Sequence, residues 1–167
     1  PVLAQVCVCG GERQMDVGGM LRERPVTFHP FALGGCSAWL RLGFSRLGEG
    51  ALRLWFDVER PAGVARNPFE DDWQVPRRIR WTCEGAAGTQ LLREDTHALS
   101  VSGYVPISPQ GDWPAGADGL YWLTAELEDP GCEESVCLSG ISAGRCEAVQ
   151  QETWASTRLF RADSRPD

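Results

Sequence analysis

Residues 37–59 read SAWLRLGFSRLGEGALRLWFDVE, and this stretch decides the fold class. In both halves apolar and polar residues alternate, which is the pattern of a β-strand with one buried face. The side chains predicted to face inward are Ala38, Leu40, Leu42 and Phe44 in the first half, and Leu52, Leu54, Phe56 and Val58 in the second. The intervening SRLGEG contains two glycines, and we interpret it as a hairpin connection between the two strands.

The same alternation recurs along the chain in RRIRWTCE (77–84) and LYWLTAELE (120–128). Further strands are expected in VLAQVCV near the start, and in SVCLSGI and RCEAVQQETW near the end. Short alternating segments separated by Gly, Pro and Asp are typical of antiparallel sandwiches and barrels, and we find no helical stripe of useful length. The sequence therefore predicts an all-β antiparallel β-sandwich, jelly-roll or immunoglobulin-like, with little or no helix.

Length and composition indicate one globular domain. The chain has 167 residues, of which 43% are hydrophobic and 23% charged, a balance that argues against disorder. We assign residues 25–160 to the sandwich domain, 1–24 to an N-terminal strand and loop of uncertain assignment, and 161–167 to a flexible tail.

Charge and hydropathy exclude several classes of partner. The net charge of −7 disfavours nucleic acid and anionic membranes, because binding to phosphates needs clustered cations. No apolar run approaches the ~20 residues of a membrane helix, and no signal peptide is recognisable. We therefore expect neither nucleic-acid nor membrane partners.

The stretch EDTHALSVSGYVP (94–106) contains the residue types of a hydrolase triad. If residues 97–102 form a strand, His97 shares a face with Leu99 and Val101, while Ser100 points to the other side. A general base must reach its nucleophile at about 2.6–3.2 Å, which this alternation forbids. We expect a turn at Asp95 followed by a strand, no catalytic residues and no enzymatic activity, although a hydrolase assembled from distant loops remains a weaker alternative.

The chain has seven cysteines, an odd number that leaves at least one unpaired within the chain. Cysteine also behaves as a small buried hydrophobe, so we expect reduced, structural cysteines. Cys7 and Cys9 should lie on the same side of one strand, but the Cys-x-Cys spacing is not that of a zinc knuckle. We predict no metal and no cofactor.

Seven tryptophans are the most informative feature for function. Trp55 and Trp122 fall opposite the aliphatic rows of their strands, and Trp73 and Trp113 lie in predicted loops beside aspartates. We predict that these four form an interaction surface. Tryptophan anchors protein–protein interfaces, and aromatic rings near carboxylates are also what a carbohydrate-binding module displays.

The chain resembles a β-sandwich region of the large baseplate J-like putative baseplate assembly proteins of phage-type contractile tails. The segments that carry the resemblance are FHPFALGGCSAWLRLGFSRL, ALRLWFDVE, RIRWTCEGAAGTQLLREDTHALSVSGYVPISP and GLYWLTAELEDPGCEESVCLSGISAGRCEAVQQET. In the family a tryptophan strand leads to an Asp-Thr turn, a Ser-Gly break and a proline, followed by a Tyr-Trp-Leu strand and a closing strand rich in Val, Ala and Gln. In this sequence the corresponding residues are Trp81, Asp95 and Thr96, Ser102 and Gly103, Pro106, Tyr121 to Leu123, and Ala148 to Gln150. The match covers residues 25–153.

The resemblance implies a non-enzymatic structural module in the wedge of a baseplate. Its expected partners are other baseplate, tail-tube or sheath proteins, and its place is a phage-like particle assembled in the cytoplasm. It also implies that the chain is part of a longer protein. The alternative is a carbohydrate-binding or receptor-adhesion module that uses exposed tryptophans to bind glycan.

Overall fold

The structure, a computed structural model, describes residues 1–23, 26–33, 36–59, 78–128 and 136–144, with only the backbone described at 32–33 and 36–37. This part of the chain contains ten strands and one short helix. The elements are β1 (Val2–Gly10), β2 (Arg13–Asp16), α1 (Gly18–Glu23), β3 (Ala32–Leu33), β4 (Cys36–Arg46), β5 (Leu52–Val58), β6 (Ile79–Cys83), β7 (Gly88–Leu91), β8 (Gly103–Gln110), β9 (Tyr121–Leu127) and β10 (Leu138–Ala143).

Two antiparallel sheets pack face to face and form the predicted sandwich. The first sheet has the order β2-β1-β4-β9-β6, with β3 paired to the start of β4, and the second has the order β10-β5-β8-β7. The single helix α1 has six residues, and its first turn is capped by Asp16, whose Oδ1 accepts a hydrogen bond from Gly18 N at 2.8 Å. The all-β prediction with little helix is confirmed.

The inner faces are those that the alternating pattern predicts. Leu40, Leu42 and Phe44 from β4 are fully buried against Leu54 and Phe56 from β5. The same core contains the inward residues of the other strands, namely Val6, Val8, Trp81, Cys83, Val105, Ile107, Leu123, Ala125 and Leu138. The fold is therefore held by one hydrophobic layer between the sheets, the usual solution for two sheets with one apolar face each.

The predicted hairpin at residues 45–50 is wrong. β4 pairs with β1 and β9, whereas β5 pairs with β10 and β8 in the other sheet. The SRLGEG segment therefore carries the chain from one sheet to the other. Alternation fixes which face of a strand is buried but not which strand lies beside it, so the two strands were correctly predicted and incorrectly paired.

The structure describes the N-terminal residues 1–23 but not residues 145–167 at the other end. The predicted strand VLAQVCV corresponds to β1, which lies between β2 and β4 within the first sheet. The predicted strand at 145–154, the long loop at 60–76 and the tail lie outside the described residues. In the described ranges, no helix has the length and apolar character needed to cross a membrane.

Candidate functional site

A second apolar cluster lies on the outer face of the first sheet. Side chains that alternate with the core residues of β1, β4 and β9 meet there, and Cys7, Cys9 and Trp122 are buried in it. Trp39 and Leu120 pack against them. A sheet face turned away from the core is normally solvated in an antiparallel sandwich, so this buried outer cluster singles out the face as a candidate site.

Arg41 is the central polar residue of this face. Its Nε and Nη2 donate to the two carboxylate oxygens of Glu84, both at 2.7 Å, which is a bidentate pair. Glu84 Oε1 also accepts a hydrogen bond from Thr124 Oγ1 at 2.6 Å. The Glu84 backbone N–H donates to Trp122 O at 2.9 Å, so the end of β6 fixes the carboxylate beside β9.

Trp122 packs directly against this ion pair. The Arg41 guanidinium carbon lies 3.9 Å from the centroid of the Trp122 ring, a cation–π contact. The ring passes over Gly43, where an added Cβ would lie 2.9 Å from two of its carbon atoms. These contacts leave Trp122 only 4% exposed.

The loop from Gly111 to Leu120 forms the wall of the site, and a tryptophan anchors it near each end. Trp113 is 8% exposed and packs edge-to-face with Phe44 and Tyr121 in the core. At the other end, Asp118 accepts a hydrogen bond from Trp122 Nε1 at 2.9 Å and one from Leu120 N at 3.1 Å. The loop is therefore held to both the inside and the outside of the first sheet.

A cavity of about 430 Å³ opens between this loop and the Arg41–Glu84 pair. Its lining consists of Arg41, Glu84, Gly85, Pro114, Ala115, Gly116, Ala117, Asp118 and Trp122. Gly85 has φ +81°, and a Cβ there would lie 2.8 Å from Pro114, so a residue without a side chain lets the loop approach the β6–β7 turn.

Two carboxylates of the cavity are held in the ionised form. Hydrogen bonds from Arg41 lower the pKa of Glu84 below its ordinary value, and burial, which raises the pKa, offsets only part of this effect. The backbone N–H of Leu120 is the main cause of the lowered pKa of Asp118. Glu84 correspondingly raises the pKa of Arg41. The three groups thus keep their charges at neutral pH, with one negative charge in excess.

The described cysteines are free thiols. Cys7 and Cys9 lie on the same side of β1, as predicted, beneath Trp122, and Cys83 is buried in the core. Burial raises the pKa of all three thiols, so they are protonated and unreactive at neutral pH. Cys137 is a half-buried free thiol, and the side chains of the other three cysteines lie outside the described residues.

The predicted strand at residues 97–102 is wrong, although the predicted turn before it is confirmed. His97, Ala98 and Leu99 have φ of 47°, 54° and 59°, so they form a left-handed turn. Ser100 N donates to Thr96 O at 2.8 Å, and β8 begins only at Gly103. Leu99 and Ser100 are buried whereas His97 is exposed, so the side chains of His97 and Ser100 lie in different environments.

The four predicted tryptophans do not form one exposed surface. Trp122 lies on the outer face of the first sheet, whereas Trp55 lies on the outer face of the second, where it is half-buried and its ring packs 4.9 Å from Tyr104. Trp113 points into the core. Trp73 lies outside the described residues. The expected exposure of Trp113 and Trp122 is therefore corrected: Trp113 packs into the core, and Arg41 and Asp118 lie against Trp122.

Sequence reasoning missed Arg41, Glu84 and Asp118 as parts of one site. Arg41 belongs to the outward row of β4, which was a readable signal, but Glu84 lies 43 positions away in sequence. Their contact depends on β9 separating β4 from β6 in the sheet, and alternation alone does not specify that order.

Acid is expected to remove the stability that the Arg41–Glu84 pair contributes. The folded pKa of Glu84 is lowered from an ordinary value of 4.5, so its contribution is fully present above that value and is lost as pH falls through the folded pKa. The side chains are 26% and 37% exposed, which limits the effect to below ~1 kcal/mol.

Urea unfolding at pH 7 and pH 3 measures this contribution. The stability difference between the unmodified chain and Glu84→Gln should be smaller at pH 3 than at pH 7. Glu126→Gln is the control, because the Glu126 carboxylate lies as far as 3.9 Å from Arg80 and its side chain is 49% exposed. An equal difference at both pH values for Glu84→Gln would contradict the assignment.

Comparisons with protein-family models, curated proteins and solved structures gave no match for this chain.

Proposed function

We propose that the chain is a non-enzymatic structural module of a contractile, phage-tail-like baseplate, where it mediates protein–protein contacts in the wedge. The sequence resemblance over residues 25–153 supports the setting. The chemistry of one sheet edge supports the contact role. The proposed partners are neighbouring baseplate, tail-tube or sheath proteins within a particle assembled in the cytoplasm.

The observation that carries the contact role is the edge strand β7. It is the outermost strand of the second sheet, and it pairs only with β8 among the described strands. Residues 85–92 contain no charged side chain, and Leu91 and Leu92 at the end of the strand are 38% and 39% exposed. Proteins usually protect an edge strand with charge, so an uncharged apolar edge favours pairing with another chain.

The other described edges are better protected. β2 carries Arg13 and Asp16, and β6 carries Arg80, which is paired with Glu128 at 3.0 Å. At β10, Phe28 exchanges two backbone hydrogen bonds with Leu138, both at 2.9 Å. We therefore propose that an edge strand of a neighbouring baseplate subunit pairs with β7 through backbone hydrogen bonds and packs against the two leucines.

The alternative of a carbohydrate-binding or receptor-adhesion module based on exposed tryptophans receives less support. A ring must offer an open face for a sugar to stack on it, and Trp113 and Trp122 are buried. Trp55 and Trp122 lie on opposite faces of the sandwich, so they do not share one platform. This arrangement is more compatible with a structural role than with a stacking surface.

Charging the β7 edge is expected to prevent incorporation into particles. In the double variant Leu91→Lys, Leu92→Lys, two partly buried apolar contacts are lost and lysine opposes strand addition, so incorporation should fall roughly tenfold or more. Particles purified from the source organism and quantified by mass spectrometry against a tube protein provide the measurement. Circular dichroism establishes that the variant is folded.

The matched control is Met15→Lys on the β2 edge of the other sheet, where Met15 is 52% exposed. It should leave incorporation unchanged. The contact role of β7 fails if the double variant is incorporated normally, or if Met15→Lys is equally impaired. Absence of the chain from every contractile particle of the organism would overturn the baseplate setting itself.

A further inference from the structure

We infer that the cavity between Arg41, Glu84 and the loop at Pro114–Asp118 binds a neutral, hydroxyl-rich ligand, namely a sugar residue. This site goes beyond the contact role of β7, and its lining contains neither Leu91 nor Leu92. Its volume of about 430 Å³ falls within the range of roughly 300–1,000 Å³ that small-molecule sites occupy.

The charges of the wall favour a neutral ligand. An anion needs an unpaired cation, but Glu84 already neutralises Arg41 through two bonds of 2.7 Å. The excess negative charge lies on Asp118, but two N–H groups already bind that carboxylate, and a cation there would also meet the Arg41 guanidinium in the same wall. A hydroxyl group can donate to a carboxylate and accept from a guanidinium, so it uses both kinds of wall group without leaving a charge unpaired.

Hydrogen-bonding capacity remains on both sides of the wall. The bonds to Glu84 use two of the five N–H groups of Arg41. Asp118 binds Leu120 N and Trp122 Nε1, and a carboxylate has about four acceptor positions. Both side chains are held in place before a ligand arrives, which reduces the entropy lost on binding.

The rest of the wall is small and apolar. Pro114, Ala115 and Ala117 line the cavity beside the polar groups, and their side chains suit the C–H faces of a sugar ring. Trp122 contributes by fixing Arg41 and Asp118, since its own ring is covered and offers no stacking face. The site thus differs from the exposed-tryptophan platform considered from the sequence.

The test compares sugars that share a ring and differ in charge. Saturation-transfer NMR and titration calorimetry are carried out with methyl glycosides of common neutral hexoses and of N-acetylglucosamine, and with glucosamine and glucuronate as charged counterparts. At least one neutral glycoside should bind, and neither charged sugar should bind more tightly than it. A glycan array separates recognition of a chain-terminal residue from recognition of the free sugar.

Two variants and one control locate the binding. Asp118→Asn should weaken binding roughly tenfold or more, because a hydrogen bond to a charged group is lost. Ala117→Trp should abolish binding, because the new side chain fills the cavity. The fold should tolerate this change, since Ala117 is an exposed loop residue and no polar group is removed. Glu126→Gln, on the same strand as Trp122 but outside the cavity lining, should have no effect.

The inference is overturned if no glycoside of the panel binds, if glucosamine or glucuronate binds more tightly than every neutral sugar, or if Ala117→Trp binds as well as the unmodified chain. None of these results bears on the β7 edge, whose test uses different residues and a different measurement.

Discussion

Replacing Phe44 by alanine is expected to lower the free energy of unfolding by about 3–5 kcal/mol. Phe44 is fully buried in β4, which lies between β1 and β9 in the first sheet. Its ring packs edge-to-face with Trp113 at 6.3 Å between centroids, so the deletion removes an aromatic contact in addition to leaving a cavity. The neighbouring strands are held by the sheet and can close that cavity only partly.

Chemical denaturation with urea measures this loss. The matched control is Leu91→Ala, an apolar truncation at a side chain that is 38% exposed, which should change stability by no more than about 0.5 kcal/mol. A loss for Phe44→Ala as small as that of the control would show that β4 does not occupy the centre of the core. Because Phe44 supports Trp113, the variant should also increase hydrogen exchange in the loop at 111–120.

The inner faces of the strands could be predicted because burial of apolar side chains is enough to determine which face of an alternating strand points inward. A strand with period-two alternation buries its apolar row whichever strand it pairs with. Leu40 and Leu42 in β4, and Leu54 and Phe56 in β5, were therefore assigned correctly from the printed residues. The pairing of β4 with β9 depends on contacts about 80 positions apart, such as Leu42 with Leu123, for which the local pattern carries no information.

The turn at His97–Leu99 could not be predicted for a different reason. A left-handed backbone conformation costs a residue other than glycine roughly 1–2 kcal/mol. Residues 94–102 contain no glycine, so nothing in the sequence indicates such a turn. Tertiary contacts impose it: Leu99 is buried in the core, and an added Cβ at Gly103 would lie 3.1 Å from the backbone of Asp95. Packing that secures the ends of a segment can thus select a backbone that its own residues disfavour.

The burial of Trp122 on the outer face of the first sheet was the third feature that could not be predicted from the sequence. The position of Trp122 opposite the core row was correct, but alternation gives the side of a residue and not what covers it. The loop at 111–120 and Arg41 from another strand cover the ring. A residue predicted to be an exposed anchor therefore serves to fix the wall of a cavity.

Gly43→Ala is expected to displace Trp122 and to lower the free energy of unfolding by about 1–3 kcal/mol, as overpacking does in other cores. The new Cβ would lie 2.9 Å from Trp122 Cη2 and Cζ3, closer than such atoms can approach. Since the ring is also held by Arg41 and Asp118, it can move away only by giving up the 3.9 Å stacking contact or the indole hydrogen bond. Either movement changes the wall of the cavity.

Two measurements together test this coupling between the sheet and the site. Urea unfolding gives the stability loss, and the indole N–H resonance of Trp122, assigned with Trp122→Phe, reports its hydrogen bond to Asp118. Gly19→Ala is the control, because nothing lies within 4 Å of a Cβ at that position, and it should be neutral or stabilising. An unchanged Trp122 resonance in Gly43→Ala would contradict the packing of the ring over Gly43. Trp122 would then not couple the sheet to the position of Arg41.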